Sequence, residues 1–144
     1  MLPDLPGVEI CRIDGSSLAR LAEVEVDVFD APIDPERARD WLASPDVVLV
    51  VAIVGGRVIG QVQGLILRHP DQPTELYIDN LGVTPAWQRR GVATALVDRL
   101  GSIARADGCT AGWVLSEPDN AAARGFYAAR NFAAHPTVLY ERPL

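Results

Sequence analysis

Apolar positions along the chain fall into strand-length runs broken by turn signals, with one long helical stripe among them. Val8–Ile13, Val47–Val54, Arg57–Arg68, Thr74–Val83, Cys109–Ser116 and Thr137–Arg142 read as strands, bounded by glycine, proline and aspartate. Gly55-Gly56 separates two apolar runs as a hairpin turn does, since both residues tolerate positive φ. His69-Pro70-Asp71-Gln72-Pro73 marks a second short turn, so the opening strands form an antiparallel meander. Helices interrupt it. Ser16 or Ser17 can cap a helix predicted to run to about Phe29, although Val24, Val26 and Val28 alternate as a strand would. Asp34 followed by Pro35 opens a short helix to about Ala43. The clearest helix begins near Arg90: Val92, Ala93, Leu96, Val97, Leu100, Ile103 and Ala104 share one face, and Gly108 stops it. A last helix follows Asn120, with Ala122, Ala123, Phe126 and Tyr127 at helical spacing. A strand–helix–strand unit across about 74–116 predicts a parallel pair with a right-handed crossover. The expected class is α/β: a mixed, mostly antiparallel sheet flanked by four helices, in a single domain over residues 1–144.

Composition narrows the chemistry. A chain of 144 residues, 49% of them hydrophobic, is long enough to bury a real core. All thirteen basic residues are arginine, which excludes Schiff-base and phosphate-loop lysine chemistry. The two histidines, His69 and His135, each precede proline and have no ligand-like neighbours, so no metal is expected. A net charge of −6 argues against nucleic acid or an anionic membrane as partner. Val47–Val54, the longest apolar run, is too short to span a bilayer. Cys11 and Cys109 sit in apolar runs and read as reduced core thiols. With no signal-like start, the chain is expected to be cytoplasmic.

Charge is unevenly placed. Residues 23–40 hold seven acids (Glu23, Glu25, Asp27, Asp30, Asp34, Glu36 and Asp40) against Arg37 and Arg39, a local −5. Such a stretch is either a solvated face or a wall that attracts a polycation. Farther on, a strand ends, a polar loop follows and a helix opens at Val83-Thr84-Pro85-Ala86-Trp87-Gln88-Arg89-Arg90-Gly91-Val92-Ala93-Thr94. Free amides at a helix start, backed by the macrodipole, bind phosphate oxygens, and glycine lets the ligand approach.

Gln88-Arg89-Arg90-Gly91-Val92-Ala93 matches the Gln/Arg-x-x-Gly-x-Gly/Ala signature, and the chain thereby resembles the GNAT superfamily of N-acetyltransferases. Asn120-Ala121-Ala122-Ala123-Arg124-Gly125-Phe126-Tyr127, followed by Arg130-Asn131-Phe132, resembles that superfamily's second motif. Asn131 stands where the family usually has glycine, and asparagine also tolerates a left-handed cap. The resemblance covers about residues 8–142. It implies direct acetyl transfer from acetyl-CoA to an amine, with the parallel strands splayed to admit the cofactor. Backbone amides from Gln88 through Arg89, Arg90, Gly91, Val92 and Ala93 to Thr94, with the Thr94 hydroxyl, would hold the pyrophosphate. The strand edge at Leu81, Gly82 and Val83 would pair with the pantetheine arm. Asn120, Ala123, Phe126 and Tyr127 would line the same cofactor site.

Tyr127 would protonate the departing thiolate, a fitting task for a phenol of pKa about 10. Asp79, which strict alternation places on a face with Tyr77, Leu81 and Val83, is a candidate base; a bulge would rotate it away. Glu117 and Asp119, beside Asn120, are competing bases and candidate acceptor contacts. A backbone amide near Leu81 is the natural donor to a developing negative oxygen. Phe29-Asp30-Ala31-Pro32-Ile33-Asp34-Pro35-Glu36 and Trp113-Val114-Leu115-Ser116-Glu117-Pro118-Asp119-Asn120 further resemble the small aminoglycoside 3-N-acetyltransferases of gentamicin and fortimicin type. That likeness implies a small polycationic amine as acceptor, held by Asp30 and Asp34, and is compatible with a homodimer. The rival readings are a peptide α-amine or polyamine acetyltransferase and a non-catalytic acyl-CoA binding module.

Overall fold

Gly55 and Gly56, at φ of +55° and +79°, turn the chain between β2 (Val47–Val54) and β3 (Arg57–Leu67). The computed structural model describes residues 5–144, which group into two compact units, 5–114 and 115–144. In the first unit β1 (Glu9–Ile13), β2, β3, β4 (Glu75–Val83) and β5 (Ala111–Val114) form one sheet in sequence order. The first three pairings are antiparallel and β4–β5 is parallel, as predicted. The parallel pairing covers only Glu75–Ile78 against Ala111–Val114, so β4 runs five residues past its neighbour.

One face of the sheet receives α2 (Val92–Ala106), whose Val92, Leu96, Leu100 and Ala104 are buried at four-residue spacing. Two glycines of β3 let the helix lie close. A Cβ on Gly60 would come 3.1 Å from Val92, and one on Gly64 only 2.7 Å from Leu100. The opposite face is covered by α1 (Pro35–Leu42) and the segment before it, over a core of Ile13, Leu21, Val28, Leu49, Val51, Ile53 and Val58. Asp34 caps α1 as expected: its Oδ1 accepts from the backbone N–H of Glu36 (2.9 Å) and of Arg37 (3.2 Å).

Two predicted elements are corrected. The helix expected from Ser16 or Ser17 to Phe29 is a single 3₁₀ turn, Leu18–Leu21. Beyond it Val24 alone makes an isolated bridge to Val58, whose amide donates to Glu23 O while Glu25 N donates back to Val58 O; Val26 and Val28 join no strand. Arg57 then pairs with Glu23 (3.2 Å) and Glu25 (2.7 Å), so two of the seven acids serve as strand-end ion pairs. Among the described residues the α-helices are thus three, not four. The strand expected at Thr137–Arg142 is irregular chain, with Val138, Leu139 and Tyr140 exposed; an apolar alternation without a partner forms no ladder.

The second unit holds α3 (Ala121–Ala129), begun where the sequence predicts it by Asn120, whose Oδ1 accepts from Ala123 N at 3.1 Å. Asn131 closes the helix at φ +67°, the left-handed cap anticipated for it.

Candidate active site

Three features of the first unit converge on a function. The first is the turn into α2. Thr84 opens a short 3₁₀ turn, Pro85–Trp87, and Gln88 ties the loop back to the strand by donating from Nε2 to Val83 O at 2.9 Å. Arg89 at φ +60° and Gly91 at φ +91° then bend the chain, and the first intrahelical bond runs from Ala95 N to Gly91 O. The amides of Val92, Ala93 and Thr94 therefore have no acceptor within the helix and stand at its positive end. Arg89 and Arg90 are exposed beside them, with the Arg90 guanidinium 5.0 Å above the Trp87 ring.

The second feature is the free edge of β4. Thr84 N donates to Ile59 O, which makes that pair a hydrogen-bonded one in the β3–β4 ladder. Bonded pairs alternate with unbonded ones, so Gly82 is bonded to Gln61 while Leu81 and Val83 turn their backbone groups away from β3. No strand among the described residues pairs with that side beyond Ile78. Leu81 and Val83 thus present extended backbone to a ligand, with Val83 O already taken by Gln88. Gly82 has a further constraint: a Cβ there would lie 2.2 Å from Val28 O.

The third feature is a cleft of about 590 Å³ on the α1 side of the sheet. Phe29, Trp41 and Leu49 give it apolar walls, and Asp30, Asp34 and Asp79 bring three carboxylates to it against one cation, Arg37. Of the seven acids in residues 23–40 only Asp30 and Asp34 line it.

Asp79 reaches the cleft through a bulge, the alternative to strict alternation that the sequence leaves open. Gln63 pairs with Asn80 and Gly64 with Ile78, so Asp79 is a bulged residue with no partner on β3. Strict alternation fails there. Leu81 and Val83 pair with Val62 and Gly60 on the α2 face, whereas Asp79 is exposed beside Asn80 at the cleft. The expectation of a carboxylate on an apolar face with Leu81 and Val83 is therefore corrected. Asp79 stays near Tyr77, whose phenol is pushed up by burial and then by the Asp79 carboxylate. Asn80, Gln61 and Gln63 were missed, yet a signal existed: two glutamines at alternate positions of an apolar strand mark one polar stripe.

In the second unit Tyr127 lies on α3, half-buried between the edges of Phe126 (5.1 Å) and Phe132 (5.2 Å). Burial raises its phenol pKa above the ordinary value. Ala123 and Phe126 share the helix, and Glu117 and Asp119 stand exposed in the turn before it, their carbonyls accepting from Asn120 N and Ala121 N.

Residues 18–132 match the acetyltransferase (GNAT) family. The chain belongs to that family. Its relatives include N-alpha-acetyltransferase RimI of Mycobacterium tuberculosis, 32% identical over 92% of this chain and 82% of that protein. L-2,4-diaminobutyric acid acetyltransferase of Nocardia farcinica is 35% identical over 56% of this chain, but that match spans only 40% of the relative. Among solved structures, the fold is shared with an aminoglycoside acetyltransferase from an uncultured soil metagenomic sample in complex with sisomicin (20% identity, 96% of each chain, TM-score 0.79). It is shared equally with an aminoglycoside N-acetyltransferase in complex with CoA (18% identity, 99% of each chain, TM-score 0.79).

As a GNAT protein the chain is an acetyl-CoA-dependent N-acetyltransferase. The residues present fit that cofactor: an extended edge at Leu81–Val83 for an amide-bearing arm, and unsatisfied amides with two arginines at the start of α2 for phosphates. Among the described residues no cluster of His, Cys, Asp and Glu could hold a metal, and no helix is long and apolar enough to cross a membrane.

Proposed function

We propose that this acetyltransferase acts on a primary amine of a small polycation, an aminoglycoside or a polyamine. One observation carries the reading: Asp30, Asp34 and Asp79 share a cleft of about 590 Å³ with Phe29 and Trp41. Carboxylates attract ammonium groups, and aromatic faces add cation–π attraction while holding the carbon frame. Asp79, exposed at the cleft, takes the proton from the incoming ammonium, directly or through water, because an amine is nucleophilic only when neutral. Bound acetyl-CoA supplies the activated acetyl group. The Leu81 amide donates to the oxygen on which negative charge grows, and Tyr127, kept protonated by burial, donates to the leaving sulfur. The amides and guanidinium groups from Gln88 to Thr94 hold the phosphates, and Asn120, Ala123 and Phe126 hold the arm.

A second reading, acetylation of a peptide α-amine, draws support from the 32% identity to RimI over nearly the whole chain. Thiol release from acetyl-CoA, measured against sisomicin, spermidine and a peptide with a free α-amine, separates the two. Turnover of sisomicin or spermidine with the highest kcat/KM supports the polycation. Turnover of the peptide alone replaces it.

A further inference from the structure

Gln61 is fully buried in a mostly apolar strand, and its amide needs partners to be tolerated there. Its Nε2 donates to Val28 O at 3.1 Å and to Asn80 Oδ1 at 2.5 Å. Asn80 Nδ2 donates in turn to Asp30 Oδ2 at 3.1 Å. The direction of this chain is fixed link by link. Val28 O can only accept, so Gln61 must present nitrogen to it. The same nitrogen requires oxygen from Asn80, which turns the Asn80 nitrogen toward Asp30. Reversing either amide would set acceptor against acceptor.

We infer that Asn80 is a positioning residue for the acceptor, aiming the Asp30 carboxylate into the cleft with Gln61 holding Asn80 in its donating orientation. Asp30 sits on an exposed loop, where a short side chain has several rotamers. The bond from Asn80 selects one and engages Oδ2, leaving Oδ1 for an ammonium group of the ligand. Gly82 belongs to the same device, because Val28 O can lie against β4 only where no Cβ intervenes. The assignment rests on the polycation reading, and its test keeps the two apart.

The experiment measures KM for sisomicin, KM for acetyl-CoA and kcat in Asn80→Ala, Asp30→Asn and the double variant. Asn80→Ala should raise the sisomicin KM about tenfold, the equivalent of about 1.4 kcal/mol, with kcat and the acetyl-CoA KM within about twofold. In the Asp30→Asn background the same change should add less than about twofold, since Asn80 acts through Asp30. Gln61→Met, which keeps size and lies outside the cleft lining, should raise the sisomicin KM in the same direction. Equal effects of Asn80→Ala in both backgrounds would show direct contact with the ligand and overturn the inference, as would an unchanged KM. A ligand-free arm follows the Asn80 side-chain amide by ¹⁵N-resolved NMR: it should shift in Asp30→Asn, and a silent resonance removes the hydrogen bond and the inference with it. Sisomicin neither bound nor acetylated, with the NMR shift intact, defeats the polycation reading and leaves the hydrogen-bonded chain standing.

Discussion

Tyr127 and Asp79 divide the proton handling in the proposed reaction, and each can be removed with little change of shape. Tyr127→Phe keeps the ring contacts with Phe126 and Phe132 and loses only the hydroxyl, so kcat should fall by about 10²–10⁴-fold with acetyl-CoA affinity unchanged. Because burial raises the phenol pKa, the proton is retained through neutral pH and lost only above about 10. The alkaline fall in kcat should lie above that point and vanish in Tyr127→Phe; a pH–rate profile checks both. Asp34 has two tasks, helix cap and cleft carboxylate. Asparagine caps as well as aspartate, so Asp34→Asn should raise the acceptor KM at constant Tm, whereas Asp34→Ala should also cost about 1 kcal/mol of stability. At this scale Asp34, Asn120 and Asn131 were legible in the sequence, because capping is decided by the residue and its near neighbours. The surroundings of Asp79 were not, because a bulge depends on how β4 registers against β3.

Helices and strands show the same division. The α2 stripe and its opening glycine are local signals, and both appear where predicted. Gly91→Asp forces a side chain into φ +91°, a strain of about 1–2 kcal/mol, and sets a carboxylate among the amides proposed to hold phosphate. Binding of CoA by calorimetry should weaken by more than about tenfold while far-UV circular dichroism stays native. Gly64→Ala tests packing alone: its Cβ would meet Leu100 at 2.7 Å and Leu76 at 2.9 Å, so denaturant unfolding should show a loss of about 1–3 kcal/mol. The segment predicted as the first helix failed because Glu23 and Glu25 find backbone and ionic partners on β3, which lies more than thirty residues away in sequence. The strand expected at Thr137–Arg142 failed for the opposite reason, the lack of a partner.

Across the molecule the charge is −6, and the carboxylates at the cleft are exposed rather than buried. Attraction of a polycation should therefore be screened over about 8 Å at physiological ionic strength. Raising the salt should increase the acceptor KM of the native protein more than that of an Asp30→Asn, Asp34→Asn variant. Fold class and family were legible along nearly the whole length, since periodicity and two short motifs carry them. The cleft was not, because its walls come from segments distant in sequence that meet only on the folded sheet. Its chemistry depends on an irregularity one residue long. A pleated strand deals its side chains alternately to either side, and at Asp79 one side is dealt twice. Two successive polar groups, one to take a proton and one to steer a carboxylate, can so face the same ligand while Leu76, Ile78, Leu81 and Val83 keep to the α2 side. Substitution at 79 removes one group, and deleting that residue would restore regular alternation, with Asn80 still at the cleft and Leu81 still on the α2 side. The β3–β4 pairing should therefore survive the loss of this residue as it survives a change of its side chain, at the expense of one carboxylate in the cleft.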